Sequence, residues 1–162
     1  MLKTIQNAAI LIFLSIALTA CGGNAEKGEA GQTHRAPNGD LRETTASAGT
    51  LPAFLDGQQD IIRNAYLVAG QYADVLEWIP CYCGCGESAG HGSNKNCFIH
   101  EIREDGTVEW DDHGTRCNVC IEIALESAMM DKQGIPLKEI RKTIDAAYGS
   151  GYAAPTPTPM PL

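Results

Sequence analysis

The sequence is short of basic residues. Lysine and arginine together number 12, against 20 aspartates and glutamates, so the 162-residue chain has a formal net charge of −8. Nucleic-acid binding requires a basic surface that neutralises phosphates, and this composition argues against it. The same acidity argues against docking on an anionic lipid surface through charge alone.

Recognisable catalytic arrangements are also missing. No carboxylate pair, no Ser-His-Asp arrangement and no phosphate-binding loop stands out. We therefore expect a protein that is not an enzyme. Residues 117–120 (CNVC) are the one pattern with a catalytic interpretation, which is thiol–disulfide exchange, but no βαβ pattern precedes them.

The sequence lacks an apolar run of comfortable membrane-spanning length. Its longest such run, residues 8–20, follows Lys3 and ends in small residues directly before Cys21. This pattern is typical of a lipoprotein signal peptide, so we predict a signal over residues 1–20 and a lipid anchor on Cys21. Two alternatives are an ordinary signal peptide, which leaves Cys21 as an odd free thiol, and an uncleaved anchor helix. Lipidation places the protein outside the cytoplasm, tethered to the membrane without spanning it.

Large apolar residues are scarce at both ends of the mature chain. Residues 21–50 contain one large aliphatic residue, Leu41, and no aromatic residue, so we predict a flexible tether. Residues 153–162 (AAPTPTPMPL) have proline at alternate positions, which predicts an extended, disordered tail. One small globular domain is then expected over residues 51–152.

Helical spacing of the apolar residues between these ends predicts the fold class. Four stretches are expected to be helices: residues 57–69, 71–78, about 115–134, and 136 onward. The Asp105-Gly106 turn predicts a short β-hairpin between about residues 97–102 and 107–110. We expect a mainly α-helical domain of three to four helices around an irregular region rich in cysteine and histidine.

Cysteine is abundant in that region. Residues 80–86 (PCYCGCG) place three cysteines at alternate positions, and three more cysteines and three histidines follow within 40 residues. The full set is Cys81, Cys83, Cys85, Cys97, Cys117, Cys120, His91, His100 and His113. Six thiols in an exported protein fit three disulfides. Because a disulfide between residues i and i+2 is strained, each early cysteine would then pair with a later one.

The same set also fits a metal site. In extended chain the side chains of residues 81, 83 and 85 point to one face, and Gly84 and Gly86 allow a bend that brings the sulfurs together. The CNVC cysteines lie at a predicted helix start, where the helix dipole favours thiolates. Thiolates with imidazoles suit Cu(I) or Zn(II). We expect ligands from the six cysteines and His113, with His91 or His100 in addition.

Residues 80–85 (PCYCGC) resemble the name-giving motif of the PCYCGC-motif bacterial lipoproteins. Residues 91–99 (HGSNKNCFI), His113, residues 117–120, and Ile140-Arg141 with Tyr148 are similar to that family too. The resemblance covers about residues 60–150. It implies an exported, lipid-anchored protein of the bacterial cell envelope, and it implies no particular activity.

Three functions follow as hypotheses. The leading one is a membrane-tethered protein that captures, buffers or delivers Cu(I) or Zn(II), with a metal donor or acceptor protein as partner. The alternative is a disulfide-stapled binding or structural module without metal, and the third is a thiol–disulfide oxidoreductase. Sulfurs of Cys83 and Cys117 or Cys120 within about 4 Å, near an imidazole and without a bond of about 2 Å, would favour metal.

Overall fold

The chain folds into a mixed α/β domain. The computed structural model describes residues 29–162, so the predicted signal peptide and Cys21 lie outside the described residues. Within residues 29–162, five helices pack with a four-stranded antiparallel sheet. The expectation of a mainly helical fold with one hairpin is therefore wrong. Within the part of the chain that is described, no helix combines the length and apolar character needed to cross a bilayer.

The sheet is assembled from two distant parts of the sequence. Its strands are β1 (Thr33–Arg35), β2 (Leu41–Thr45), β3 (Ile99–Ile102) and β4 (Val108–Asp111), in the order β1-β2-β4-β3. The hairpin expected around the Asp-Gly turn forms β3 and β4. Strands β1 and β2 come from the segment for which the sequence predicted a flexible tether, and β2 pairs with β4 along four residues.

The polar side chains of β2 are buried because they form hydrogen bonds. Glu43, Thr44 and Thr45 are each less than a tenth exposed. The Glu43 carboxylate accepts backbone N–H groups from Ala53 at 2.7 Å and Phe54 at 3.2 Å. The Thr45 hydroxyl accepts the indole N–H of Trp110 on β4 at 2.8 Å. These partners offset the desolvation of the polar groups, which a hydrophobicity pattern does not reveal.

Five helices complete the described part of the fold. They are α1 (Asp60–Gln71), α2 (Ala73–Leu76), α3 (Gly86–Ala89), α4 (Asn118–Lys132) and α5 (Leu137–Tyr148). The three long helices lie where the apolar spacing places them. Helix α1 directs Ile62, Ala65, Tyr66 and Ala69 into the core.

The main core is aromatic and includes three thiols. The Tyr66 ring meets Phe98 edge-on at 5.1 Å and lies 6.0 Å from Trp110, while its hydroxyl donates to the Asp111 carbonyl at 2.7 Å. Three fully or almost fully buried cysteines pack in the same cluster: Cys81, Cys97 and Cys120. The folding of the core therefore brings together cysteines from three separate segments of the chain.

The C-terminal tail packs on the PCYCGC loop although it has no helix or strand. Thr156 and Thr158 are buried. The Thr156 N–H donates to the Cys81 carbonyl at 3.0 Å, and the Thr156 hydroxyl accepts the Cys81 N–H at 2.9 Å. The Arg141 guanidinium donates to the carbonyls of Thr158 and Pro159. The tail is thus hydrogen-bonded to the backbone of the cysteine motif.

Candidate metal centre

Three local structures present the cysteines to one another. The PCYCGC loop runs from the end of α2 to the start of α3, and Gly84 turns it with a φ of +81° that favours glycine. Cys97 ends a 3-10 turn, residues 94–97, which a capping box between Ser93 and Asn96 fixes. Cys117 is the N-cap residue of α4, and its partner in the CNVC pattern lies in the first turn of that helix.

Five of the six cysteine sulfurs in the described residues form one group. Cys81 Sγ lies 3.0 Å from Cys83 Sγ and 3.2 Å from Cys120 Sγ. Cys97 Sγ is 3.6 Å from Cys81 Sγ, and Cys117 Sγ is 3.1 Å from Cys120 Sγ. The thiols of Cys81, Cys83 and Cys120 lie within 4.8 Å of one another and form the centre of the group.

These separations are longer than a disulfide bond and shorter than the spacing of thiolates around one ion. A disulfide bond is about 2.05 Å long, and all six cysteines in the described residues are free. Four thiolates around a zinc ion, each at about 2.3 Å, are about 3.8 Å apart. The observed distances of 3.0–3.6 Å are about 0.2–0.8 Å shorter than that spacing, so a bound ion would move the sulfurs apart. The sulfurs of Cys83 and Cys120 lie within 4.8 Å of each other, which is close to the separation of about 4 Å predicted for a metal site.

The sulfur cluster cannot hold several negative charges by itself. The pKa of the Cys83 thiol is lowered because Cys117, Cys120 and Cys81 hydrogen-bond to its sulfur. The Cys85 N–H also donates to that sulfur at 3.3 Å. The pKa of Cys120 is raised, chiefly by its hydrogen bond to Cys117. These hydrogen bonds favour a thiolate at Cys83, and a bound cation would displace the protons of the neighbouring thiols.

His91 lies against the cluster with a free coordinating position. Its Nδ1 is 3.6 Å from Cys97 Sγ. The side chain is buried, and its Nε2 has no hydrogen-bond partner among the described residues. Burial and the nearby His113 lower the His91 pKa to about 4, so the imidazole is neutral at pH 7. A neutral, buried and unpartnered imidazole nitrogen is chemically suited to a metal ion.

His113 is held beside the PCYCGC loop by a carboxylate. Its Nδ1 lies 3.1 Å from Asp40 Oδ2, and its ring meets that of His91 edge-on at 4.7 Å. One of its ring nitrogens, with the thiols of Cys83 and Cys85, forms a second group within 4.8 Å. The hydrogen bond with Cys83, followed by Asp40, raises the His113 pKa.

The two remaining predicted ligands are placed differently. Cys85 stands at the edge of the sulfur cluster, partly exposed, and joins it through the group with Cys83 and His113. His100 is exposed on β3 and belongs to none of the Cys/His/acid groups found in the described residues. Eight of the nine predicted residues are therefore gathered around the PCYCGC loop, and we leave His100 out of the site.

Sequence reasoning missed two carboxylates at this centre. Asp40 and Asp111 form a group within 4.8 Å with His91 and His113. Both are buried, and arginines already neutralise them: Arg116 pairs with Asp40, and Arg42 pairs with Asp111 at 3.0 Å. We assign them the role of positioning the imidazoles. Asp40 lies in the predicted tether, and Asp111 ends β4, 71 positions further along the chain, so the sequence carried no signal for either.

The same motif that builds the cluster identifies the family. A family model described as "protein of unknown function with PCYCGC motif" matches residues 10–161. The chain belongs to this family. Neither the curated proteins nor the solved structures contain a match to the chain. The motif that names the family is thus the loop that supplies Cys81 and Cys83 to the cluster and Cys85 to its edge.

Proposed function

We propose that this PCYCGC protein is a non-enzymatic metal-binding protein that captures, buffers or delivers Cu(I) or Zn(II). Membrane tethering through a lipid on Cys21, at the extracytoplasmic face of a bacterial envelope, is part of the proposal and rests on the N-terminal sequence alone. A donor or acceptor of the metal would be its partner. The observation that supports metal binding best is the convergence of five free sulfurs, with His91 and His113 beside them.

The ligand chemistry favours soft or borderline cations. A majority of thiolates with imidazole suits Cu(I) and Zn(II), whereas Mg²⁺ and Ca²⁺ prefer oxygen ligands. The buried carboxylates near the site are already paired with arginines. The central three thiols provide the trigonal set that Cu(I) accepts, and Cys97 or Cys117 provides the fourth ligand that Zn(II) requires.

Elemental analysis combined with thiol titration tests this function. The full chain with Cys21→Ser, purified in detergent without reducing agent, has only the six described cysteines. We expect bound copper or zinc, or free thiols that become protected by a stoichiometric amount of either ion. Six half-cystines with no metal would support the stapled module instead.

Matched variants locate the site within the chain. Cys120→Ser removes a central sulfur and is expected to abolish tight binding of the buried ion. His100→Gln changes an exposed histidine outside the cluster and should leave binding unchanged. Equal metal content in all three proteins would show that the ion binds elsewhere.

A further inference from the structure

We infer that the centre holds two metal ions, the second bound by Cys83, Cys85 and His113. This inference rests on the proposed function and adds a site to it. One ion would lie between Cys81, Cys83 and Cys120, and the other on the solvent side of the loop. Cys83 belongs to both ligand groups, each of which fits within 4.8 Å. Its sulfur is therefore the bridging thiolate.

The two ligand groups differ in burial. Cys81 and Cys120 are no more than 1% exposed, so the first ion would be enclosed by the core. Cys83, Cys85 and His113 are all partly exposed. A second ion at these three residues would be reached directly from solvent. The pair of sites would extend from the core to the surface along the alternate cysteines of the motif.

His113 is prepared as a ligand by its hydrogen bond. Nδ1 donates to Asp40 at 3.1 Å, which leaves the lone pair on Nε2 for a metal. Asp40 is held in turn by Arg116 and by the Asn38 side-chain amide at 2.7 Å. This arrangement is the carboxylate–histidine pairing that accompanies metal-ligating histidines. The Asp40–His113 hydrogen bond does not involve the sulfur contacts in the core, so it is a separate indication that His113 is a ligand.

Charge balance is compatible with a second cation. Binding one ion to the three central thiols deprotonates Cys83, whose sulfur also belongs to the group with Cys85 and His113. A second Cu(I) adds one positive charge, and the proton that Cys85 then releases removes one, so the net charge of the centre does not change. Thiolate sulfur is a soft ligand, which suits Cu(I) on both sides of Cys83.

Anaerobic titration with Cu(I), buffered by a competing chromophoric chelator, counts the ions. We expect two Cu(I) per full-length Cys21→Ser chain, observed also by native mass spectrometry. Adding Cys85→Ser, or His113→Gln, should reduce the count to one. His100→Gln should leave it at two, and thermal unfolding of each variant should show that the fold is kept.

The Asp40→Asn variant tests whether Asp40 positions His113, and its readout is the affinity of the protein for each ion. It should weaken binding of the second ion by about 10- to 100-fold while the affinity for the first stays unchanged. Loss of both affinities together would indicate a purely structural role and count against the two-site arrangement.

The outcomes separate this inference from the proposed function. If the parent chain binds one ion, or if Cys85→Ser still binds two, the second site is refuted and metal binding stands. If the parent chain binds none, the proposed function itself fails.

Discussion

Thr156 is expected to hold the PCYCGC loop in place through one side-chain hydrogen bond. Its hydroxyl accepts the Cys81 N–H at 2.9 Å, where Cys81 is 1% exposed. Thr156→Val keeps the shape of the side chain, removes the acceptor and also removes the hydroxyl's hydrogen bond with Thr158 at 2.9 Å. A buried N–H left without a partner costs about 1–3 kcal/mol. In a domain of this size that loss lowers the melting temperature by roughly 3–10 °C.

Urea and thermal unfolding of the reduced, metal-free chain measure this effect. Thr156→Ser retains the hydroxyl and should recover most of the stability. Thr143→Val is the matched control, because Thr143 is exposed on α5 and its hydroxyl bonds only within the helix. If Thr156→Val and Thr143→Val unfold alike, the tail does not support the loop and the reasoning is refuted.

Three further predictions concern the same region. Burial holds the His91 pKa near 4, below the ordinary 6.5, so the unfolded chain binds more protons than the folded chain below pH 6.5. The stability of the metal-free chain should therefore fall as the pH falls towards 4. From pH 7 to 5 this group lowers the free energy of unfolding, measured with urea, by about 2 kcal/mol, and the loss should largely vanish in His91→Gln. A Cβ at Gly86 would lie 2.5 Å from the Thr156 γ-methyl, so Gly86→Ala should displace the tail and increase its proteolysis, whereas Gly49→Ala, whose nearest contact is 3.8 Å, should not. Burial and the neighbouring Cys83 raise the Cys85 pKa to about 11, so binding of the second ion must release this proton together with any proton that His113 holds. Its affinity should therefore rise at least about tenfold per pH unit between pH 6 and 8; a flat profile in a competition titration would contradict the assignment.

The long helices and the hairpin follow from local sequence signals. Ile62, Ala65, Tyr66 and Ala69 recur with the helical period, and all four are buried on one face of α1. The Asp105-Gly106 turn joins β3 to β4 because glycine accepts its φ of +86° there. Patterns of this kind depend on neighbours within a few residues, so the sequence displays them directly.

The other half of the sheet could not be predicted in this way. Glu43, Thr44 and Thr45 are polar, and their burial depends on Ala53, Phe54 and Trp110, which are distant or outside the strand. Composition indicated a tether because it counts apolar residues and not hydrogen bonds between segments. The strand β2 is therefore a product of tertiary contacts.

Only part of the candidate site could be predicted, because local sequence shows which residues are close in the chain and not where their side chains point. The closeness of six cysteines and three histidines in sequence indicated a common site. Which histidines belong to it depended on the direction of their side chains: His91 points to Cys97 Sγ, whereas His100 lies exposed on β3. Asp40 gave no signal because the sheet brings it to His113 from 73 positions away.

X-ray absorption at the metal edge of the Cu(I)- or Zn(II)-loaded full chain tests the central claim most directly. The account predicts a first shell dominated by sulfur at about 2.3 Å, with at least three sulfurs around the buried ion. It also predicts that Cys120→Ser loses part of this sulfur shell. A shell of oxygen and nitrogen alone, or a chain that takes up no ion while its six thiols are reduced, would contradict the account.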